Sequence, residues 1–305
     1  MPHFVTPAQV AWKVADEAYL WDRVEEAFAN VEDSGIGERS ASLSYFRMIE
    51  AEATTREQSE VFAIAEWLEL EVIPGELGLD LSPDSLGAEV LTSCAEVGRR
   101  LGYDLSAKTR VAFLAAEADA PWATAPYGYC VDKYPYEKIC LPYHLLGRPR
   151  ERRQAVAHEY AHVVSINLSQ GHAPNWLGEA VSVLSEGQFD PRAERLFSEG
   201  RWPWREPAKL EGMSAKLEGM FDVTHGDPET VWRAYQQAGL IGRYLAESMG
   251  EKGLGDLLRT LGSEGLFAQL VGRLLGRTRT DLALRRHCGI GERELFANTL
   301  QWIRR

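Results

Sequence analysis

The sequence predicts an α+β protein, and three observations carry that reading. Helical apolar periodicity recurs before residue 105 and again after 188. Residues 110–142 instead hold three short runs of strand-forming type. A long helical segment with two histidines four residues apart follows directly on those strands. The expected organisation is a mostly helical N-terminal region over 1–105, an α/β lobe over 106–187 and a helical lobe over 188–305.

Taken in order, residues 7–31 place Val10, Trp12, Val14, Ala18, Leu20, Trp21, Val24 and Phe28 at helical spacing, until Ser34-Gly35-Ile36-Gly37 breaks the pattern. A short strand is expected from Leu43 to Ile49, then a helix from Glu57 to Leu70 that ends before Pro74-Gly75. A further helix runs from Ser85, with Pro83 and Asp84 marking its start, to about Leu101, with Gly102 as its cap. Strands follow at Arg110–Ala115, Tyr127–Asp132 and Lys138–Pro142. The last two are joined through Tyr134-Pro135-Tyr136, a turn that would set Cys130 and Cys140 roughly opposite. A cross-strand disulfide is conceivable there, although a reduced pair is the expectation for a cytoplasmic chain. Cys94 and Cys288 read as helix residues packed in a core.

Residues 151–170 contain neither Gly nor Pro and read as one helix. After Gly187 the chain turns polar, and Lys209-Leu-Glu-Gly-Met213 recurs as Lys216-Leu-Glu-Gly-Met220. Two copies are too few for a solenoid. Pro228 and Glu229 open a long helix through Met249, which Gly250 stops. Shorter helices are expected at 254–261, 266–275 and 292–303.

The chemistry is concentrated in His158-Glu159-Tyr160-Ala161-His162. Residues four apart lie one above the other on a helix, so His158 and His162 can offer both imidazoles to one ion. Glu159 sits about 100° round the helix, where it can reach a water at that ion without being a ligand. A catalytic zinc keeps three protein ligands, so a third must come from elsewhere. The segment Pro174-Asn175-Trp176-Leu177-Gly178-Glu179-Ala180 is the best supplier. It reads as a mostly buried helix, with Asn175 as N-cap and Gly187 closing it. A carboxylate at Glu179 is out of place in that helix unless a cation partners it. Glu186, at the helix end, is the rival ligand. The two segments together point to a zinc hydrolase with one Zn2+ per chain.

HExxH followed by a W-L-x-E-A helix resembles the gluzincins, and most closely the peptidase MA-like group of zinc peptidases. The resemblance implies His158, His162 and Glu179 as zinc ligands and Glu159 as general base. It also implies a zincin-like lobe, in which a small sheet lies beside the active-site helix, and a helical C-terminal lobe. The longer HExxHxxGxxH pattern is not met, because Ser165 and Leu168 occupy its Gly and third His positions. Many gluzincins carry an acidic residue three or four positions after the ligand Glu, where this chain has Ser182 and Val183. The Met-Glu-Asn signature of zinc aminopeptidases is absent as well. By the same resemblance, Tyr127-Gly128-Tyr129 is the candidate edge strand for substrate backbone, with an ordinary tyrosine-rich hairpin as the other reading. Tyr235, in Ala234-Tyr235-Gln236-Gln237, is either the donor to a developing oxyanion or a core tyrosine. His172, in the loop between the two ligand segments, either approaches the cleft as a proton donor or faces solvent.

The expected activity is therefore zinc-dependent peptide-bond hydrolysis on a peptide or protein substrate. The alternatives are a non-catalytic zinc-binding protein of zincin fold with a regulatory or scaffold role, and a zinc hydrolase of a non-peptide amide. The composition, 45% hydrophobic and 26% charged, is that of a soluble globular protein. A net charge of −12 with no offsetting basic run argues against a nucleic-acid partner. No apolar run is long enough to span a bilayer, and Met1–Leu20 lacks the apolar core of a signal peptide, so a cytoplasmic location is expected.

Overall fold

The computed structural model describes residues 14–15, 17–19, 21–34, 49–78, 80–116, 129–132, 136–210, 228–263 and 276–305. They form an α+β protein divided into two compact units. One unit takes the described residues up to Ser93 and those from Ser106 to Glu159. The other takes 94–105, 160–210 and 228–305. The expected division at 105 and 187 follows chain order, whereas these units interleave segments.

The first unit is built on a five-stranded mixed sheet: β1 (Glu60–Ala65), β2 (Leu68–Val72), β3 (Thr109–Phe113), β4 (Tyr129–Asp132) and β5 (Glu137–Leu141), in the order β1-β2-β3-β5-β4. The β1–β2 and β4–β5 pairs are antiparallel, and the β2–β3 and β3–β5 pairs are parallel. The expected strands at 110–115, 127–132 and 138–142 are present within a residue or two over the described positions. The helix expected from Glu57 to Leu70 is not: these residues form the β1–β2 hairpin. Leu68, Leu70 and Val72 alternate with Glu69 and Glu71, a period of two that buries one face of β2, and β-branched Val61 and Ile64 favour β1. The strand expected at Leu43–Ile49 is corrected at its end, since Ile49 opens a helical stretch over 49–56, and 43–48 lie outside the described residues.

Register gives the sheet two unlike faces. Leu70, Val111 and Ile139 lie in line across β2, β3 and β5, flanked by Leu68, Phe113 and Leu141, and all are buried. On the other face Glu69, Arg110 and Lys138 are aligned, and the next row is Glu71, Ala112 and Cys140. The N-terminal helical segments cover that second face, burying Ala15, Ala18, Tyr19, Val24, Ala27, Ile49 and Ala51 with Ala112 and Cys140. Lys138, 1% exposed, pairs with Glu52 at 2.9 Å and with Glu71 at 3.4 Å. Glu52 also accepts from the Tyr19 hydroxyl and, at 3.4 Å, from the Cys140 thiol. Burial alone would lower the Lys138 pKa, but the attraction of Glu52 and Glu71 outweighs it and holds the ammonium charged, above its ordinary value.

The register also differs from the one expected for the cysteines on β4 and β5. Tyr129 is opposite Cys140, and Cys130 is opposite Ile139, so the two cysteines are offset by one residue and not opposed.

The single helix expected over 7–31 is interrupted. Helical residues around 14–19 give way to a turn at Trp21–Asp22, then α1 (Val24–Ser34). Asp22 takes a left-handed φ of 59°, and Arg56 and Tyr136 bind its carboxylate. Residues 7–13 lie outside the described set.

Helix α2 (Pro83–Leu101) stops as expected and starts two residues before the expected Ser85. The Ser82 hydroxyl accepts from the Ser85 N–H and the Ser85 hydroxyl accepts from the Ser82 N–H, a reciprocal cap ahead of Pro83. Gly102, at φ 65°, closes it. Cys94 is buried in α2, and burial pushes its thiol pKa up.

The second unit is helical: α4 (Asn175–Glu186), α5 (Pro191–Ser198), α6 (Pro228–Ser263), α7 (Arg279–Cys288) and α8 (Glu292–Trp302), together with the C-terminal part of α3 (Pro149–Ser169). Gly250, at φ 74° and ψ 162°, breaks α6 where a helix stop is expected. Helix α5 was not anticipated, and α7 was anticipated only in the reading of Cys288 as a helix residue. The repeat at 209–220 is described only as far as Leu210, and 266–275 lie outside the described residues. Among the described residues no helix is long and apolar enough to cross a membrane.

Candidate metal centre

Helix α3 carries His158, Glu159 and His162 on an almost wholly buried stretch, with Val156, Tyr160, Ala161, Val163 and Val164 filling its other faces. His158 is 5% exposed and Glu159 4%. Helix α4 follows after a short turn that passes through left-handed Gln170 and Gly171. The expected N-cap is displaced by one residue: Pro174 is the cap and Asn175 the first helical position. The reason is that the Pro174 carbonyl already accepts from the Leu177 and Gly178 N–H groups, at 2.9 and 3.1 Å. Gly187 closes α4 in the left-handed conformation, as expected.

The two helices bring His158, His162 and Glu179 together. One ligand atom from each lies within 4.8 Å of the others, and the His162 Nε2 to Glu179 Oε2 distance is 3.7 Å. Ligand atoms around a tetrahedral zinc stand about 3.3 Å apart, so a small contraction of this group suffices. The donor set suits the metal: two imidazoles and one carboxylate are borderline ligands of the type zinc takes, and calcium or magnesium would call for more oxygen. Glu179 is 4% exposed in a helix otherwise packed with Trp176, Leu177, Ala180, Val181 and Val183, where a carboxylate needs a positive partner. Glu186, the rival ligand, is not part of the group.

Three features fix α4, and none of them was read from the sequence. At its N-terminal end the Trp176 indole N–H donates to Glu292 at 2.9 Å. At its C-terminal end Arg100 donates to the Leu184 and Ser185 carbonyls and pairs with Glu251 at 2.6 Å. Along its length α4 lies against α6, where Gly242 and Gly239 admit the Ala180 backbone and Val183 side chain; a Cβ on Gly242 would overlap the Ala180 carbonyl. The legible signal was the pair of glycines three apart inside a helical pattern, which marks close approach of another chain segment.

Other candidate residues sit as follows. His172 is exposed in the α3–α4 turn, and His144 is half-buried in the 3-10 turn Tyr143–Gly147. Tyr235 is half-buried on α6, one turn before Gly239. Tyr129 opens β4, an edge strand of the sheet, while Tyr127 and Gly128 lie outside the described residues. The Ser165 and Ser182 hydroxyls, one turn beyond His162 and Glu179, are buried without a hydrogen-bond partner among the described residues.

Comparison with protein-family models, with curated proteins and with solved structures finds no match to this chain.

Proposed function

We propose that the chain is a zinc-dependent metallopeptidase of gluzincin type with a zincin-like lobe, and that it hydrolyses peptide bonds in a peptide or protein substrate. The observation that carries this reading is the convergence of His158, His162 and Glu179, with Glu159 buried beside them and outside the ligand group. Those three residues would hold the metal. When bound, zinc supplies a Lewis acid for the scissile carbonyl and brings the pKa of a water toward neutrality. Glu159 accepts the proton of the attacking water and returns it to the departing amine. A carboxylate buried beside the ligands and outside their group would have little use in a purely structural site, which favours catalysis over a scaffold role. Tyr235 donates its hydroxyl proton in a hydrogen bond to the developing oxyanion. The β4 edge at Tyr129 binds substrate backbone as an added strand, so methylating substrate backbone amides should raise KM.

The test is hydrolysis of a denatured protein substrate before chelation, after chelation and after stoichiometric zinc is restored. Activity should disappear and return, and Tyr235→Phe should lower kcat roughly 10²-fold or more with metal content unchanged. Zinc-loaded protein that cleaves no peptide bond would contradict the peptidase reading in favour of a non-catalytic zinc protein or an amidase. Full kcat in Tyr235→Phe would remove that residue from the mechanism.

A further inference from the structure

The His162 ring is held between two neighbours on α4. Its Nε2 faces Glu179 at 3.7 Å, and its Nδ1 lies against Gly178, 3.7 Å from where a Cβ on that glycine would stand. At about 100° per residue, Ser182 falls in azimuth between Gly178 and Glu179, one turn further along. Side chains on a helix tilt toward its N-terminus, so the Ser182 hydroxyl leans back over Gly178, where no side chain stands in its way. Ser182 is 0% exposed, and its Oγ has no hydrogen-bond partner among the described residues. Buried hydroxyls in helices ordinarily find an acceptor or donor, so this one is held for a group that arrives or turns toward it.

We propose that Ser182 is a positioning residue whose Oγ accepts a hydrogen bond from Nδ1–H of His162. That bond selects the tautomer with the proton on Nδ1 and the Nε2 lone pair directed at the metal, and it fixes the ring plane. Gly178 is part of the same device, because a side chain there would stand between the serine and the imidazole. The inference rests on the zinc-site reading above and adds to it the group that orients the second histidine.

The experiment compares wild type and Ser182→Ala by zinc titration, by thermal melting of the zinc-free proteins and by exchange of the His162 Nδ1 proton in the zinc-loaded proteins. Ser182→Ala should bind zinc about 10–100-fold more weakly, melt no lower than wild type without zinc, and exchange its Nδ1 proton faster. A merely structural serine would not alter that proton's exchange. Equal zinc affinity and equal exchange in the two proteins would overturn the role of Ser182 while leaving the zinc site standing. So would an affinity loss matched by a drop in zinc-free melting temperature. A wild type that binds no zinc would overturn the zinc reading itself, and the inference with it.

Discussion

Replacing Glu159 with Gln leaves zinc binding intact and lowers kcat about 10²–10⁴-fold. Gln has nearly the same shape, so the buried position tolerates it, but an amide cannot take up the proton of an attacking water. Glu159 is 4% exposed and lies next to His158 in sequence, yet the group that could hold a metal is His158, His162 and Glu179 without it. Kinetics on a cleaved peptide, read beside zinc per chain, checks the assignment. Full kcat would mean another group is the base. Loss of zinc would mean that Glu159 is a ligand.

The second large effect lies far from this chemistry in kind. Lys138→Met should cost about 3–5 kcal/mol of stability, because it takes the cation from buried Glu52 and leaves buried Glu71 with Arg110, at 3.7 Å, as its cation. Desolvating a charge pair is costly, so the pair itself contributes modestly; the damage comes from removing the shared ammonium from two carboxylates, each 1% exposed or less at the side chain. Urea unfolding of the two proteins measures it, and adding Glu52→Gln and Glu71→Gln should recover part of the loss. Equal midpoints for wild type and Lys138→Met would contradict the account of the charged sheet face. The pH dependence has a definite sign. The folded-state pKa of Lys138 is raised, so its stabilising contribution is whole below the unfolded lysine value of about 10.4 and is lost as pH climbs from there toward the folded value. The difference in stability between wild type and Lys138→Met should therefore shrink above about pH 10.4.

The helices that carry His158, His162 and Glu179 were legible because their signals are local. A Gly- and Pro-free segment with histidines four apart specifies α3, and a lone Glu in an apolar helix specifies α4 as its partner. The stops at Gly102, Gly187 and Gly250 were equally plain, since each takes a left-handed φ that favours glycine. The β1–β2 hairpin was misread as a helix because Glu-rich, Leu-rich sequence has high helix propensity; pairing of β2 with β3, 41 residues away at Glu69 and Arg110, decides otherwise. The same non-local pairing hides the charged face, because Glu52, Glu71 and Lys138 meet only once the strands are in register. Arg100, Glu292 and Gly242, which hold α4, also act through tertiary contacts that no spacing in the sequence announces. Ser182 is intermediate: its position one turn after Glu179 is visible in the sequence, but its burial and the open edge at Gly178 are not.

Zinc content of the purified protein, wild type beside Glu179→Ala, tests the central claim most directly. The account predicts about one zinc per chain in wild type and loss of that zinc in the variant, with both proteins folded. Wild type that takes up no zinc when the metal is supplied, or Glu179→Ala that holds it as tightly, would contradict the His158, His162 and Glu179 centre.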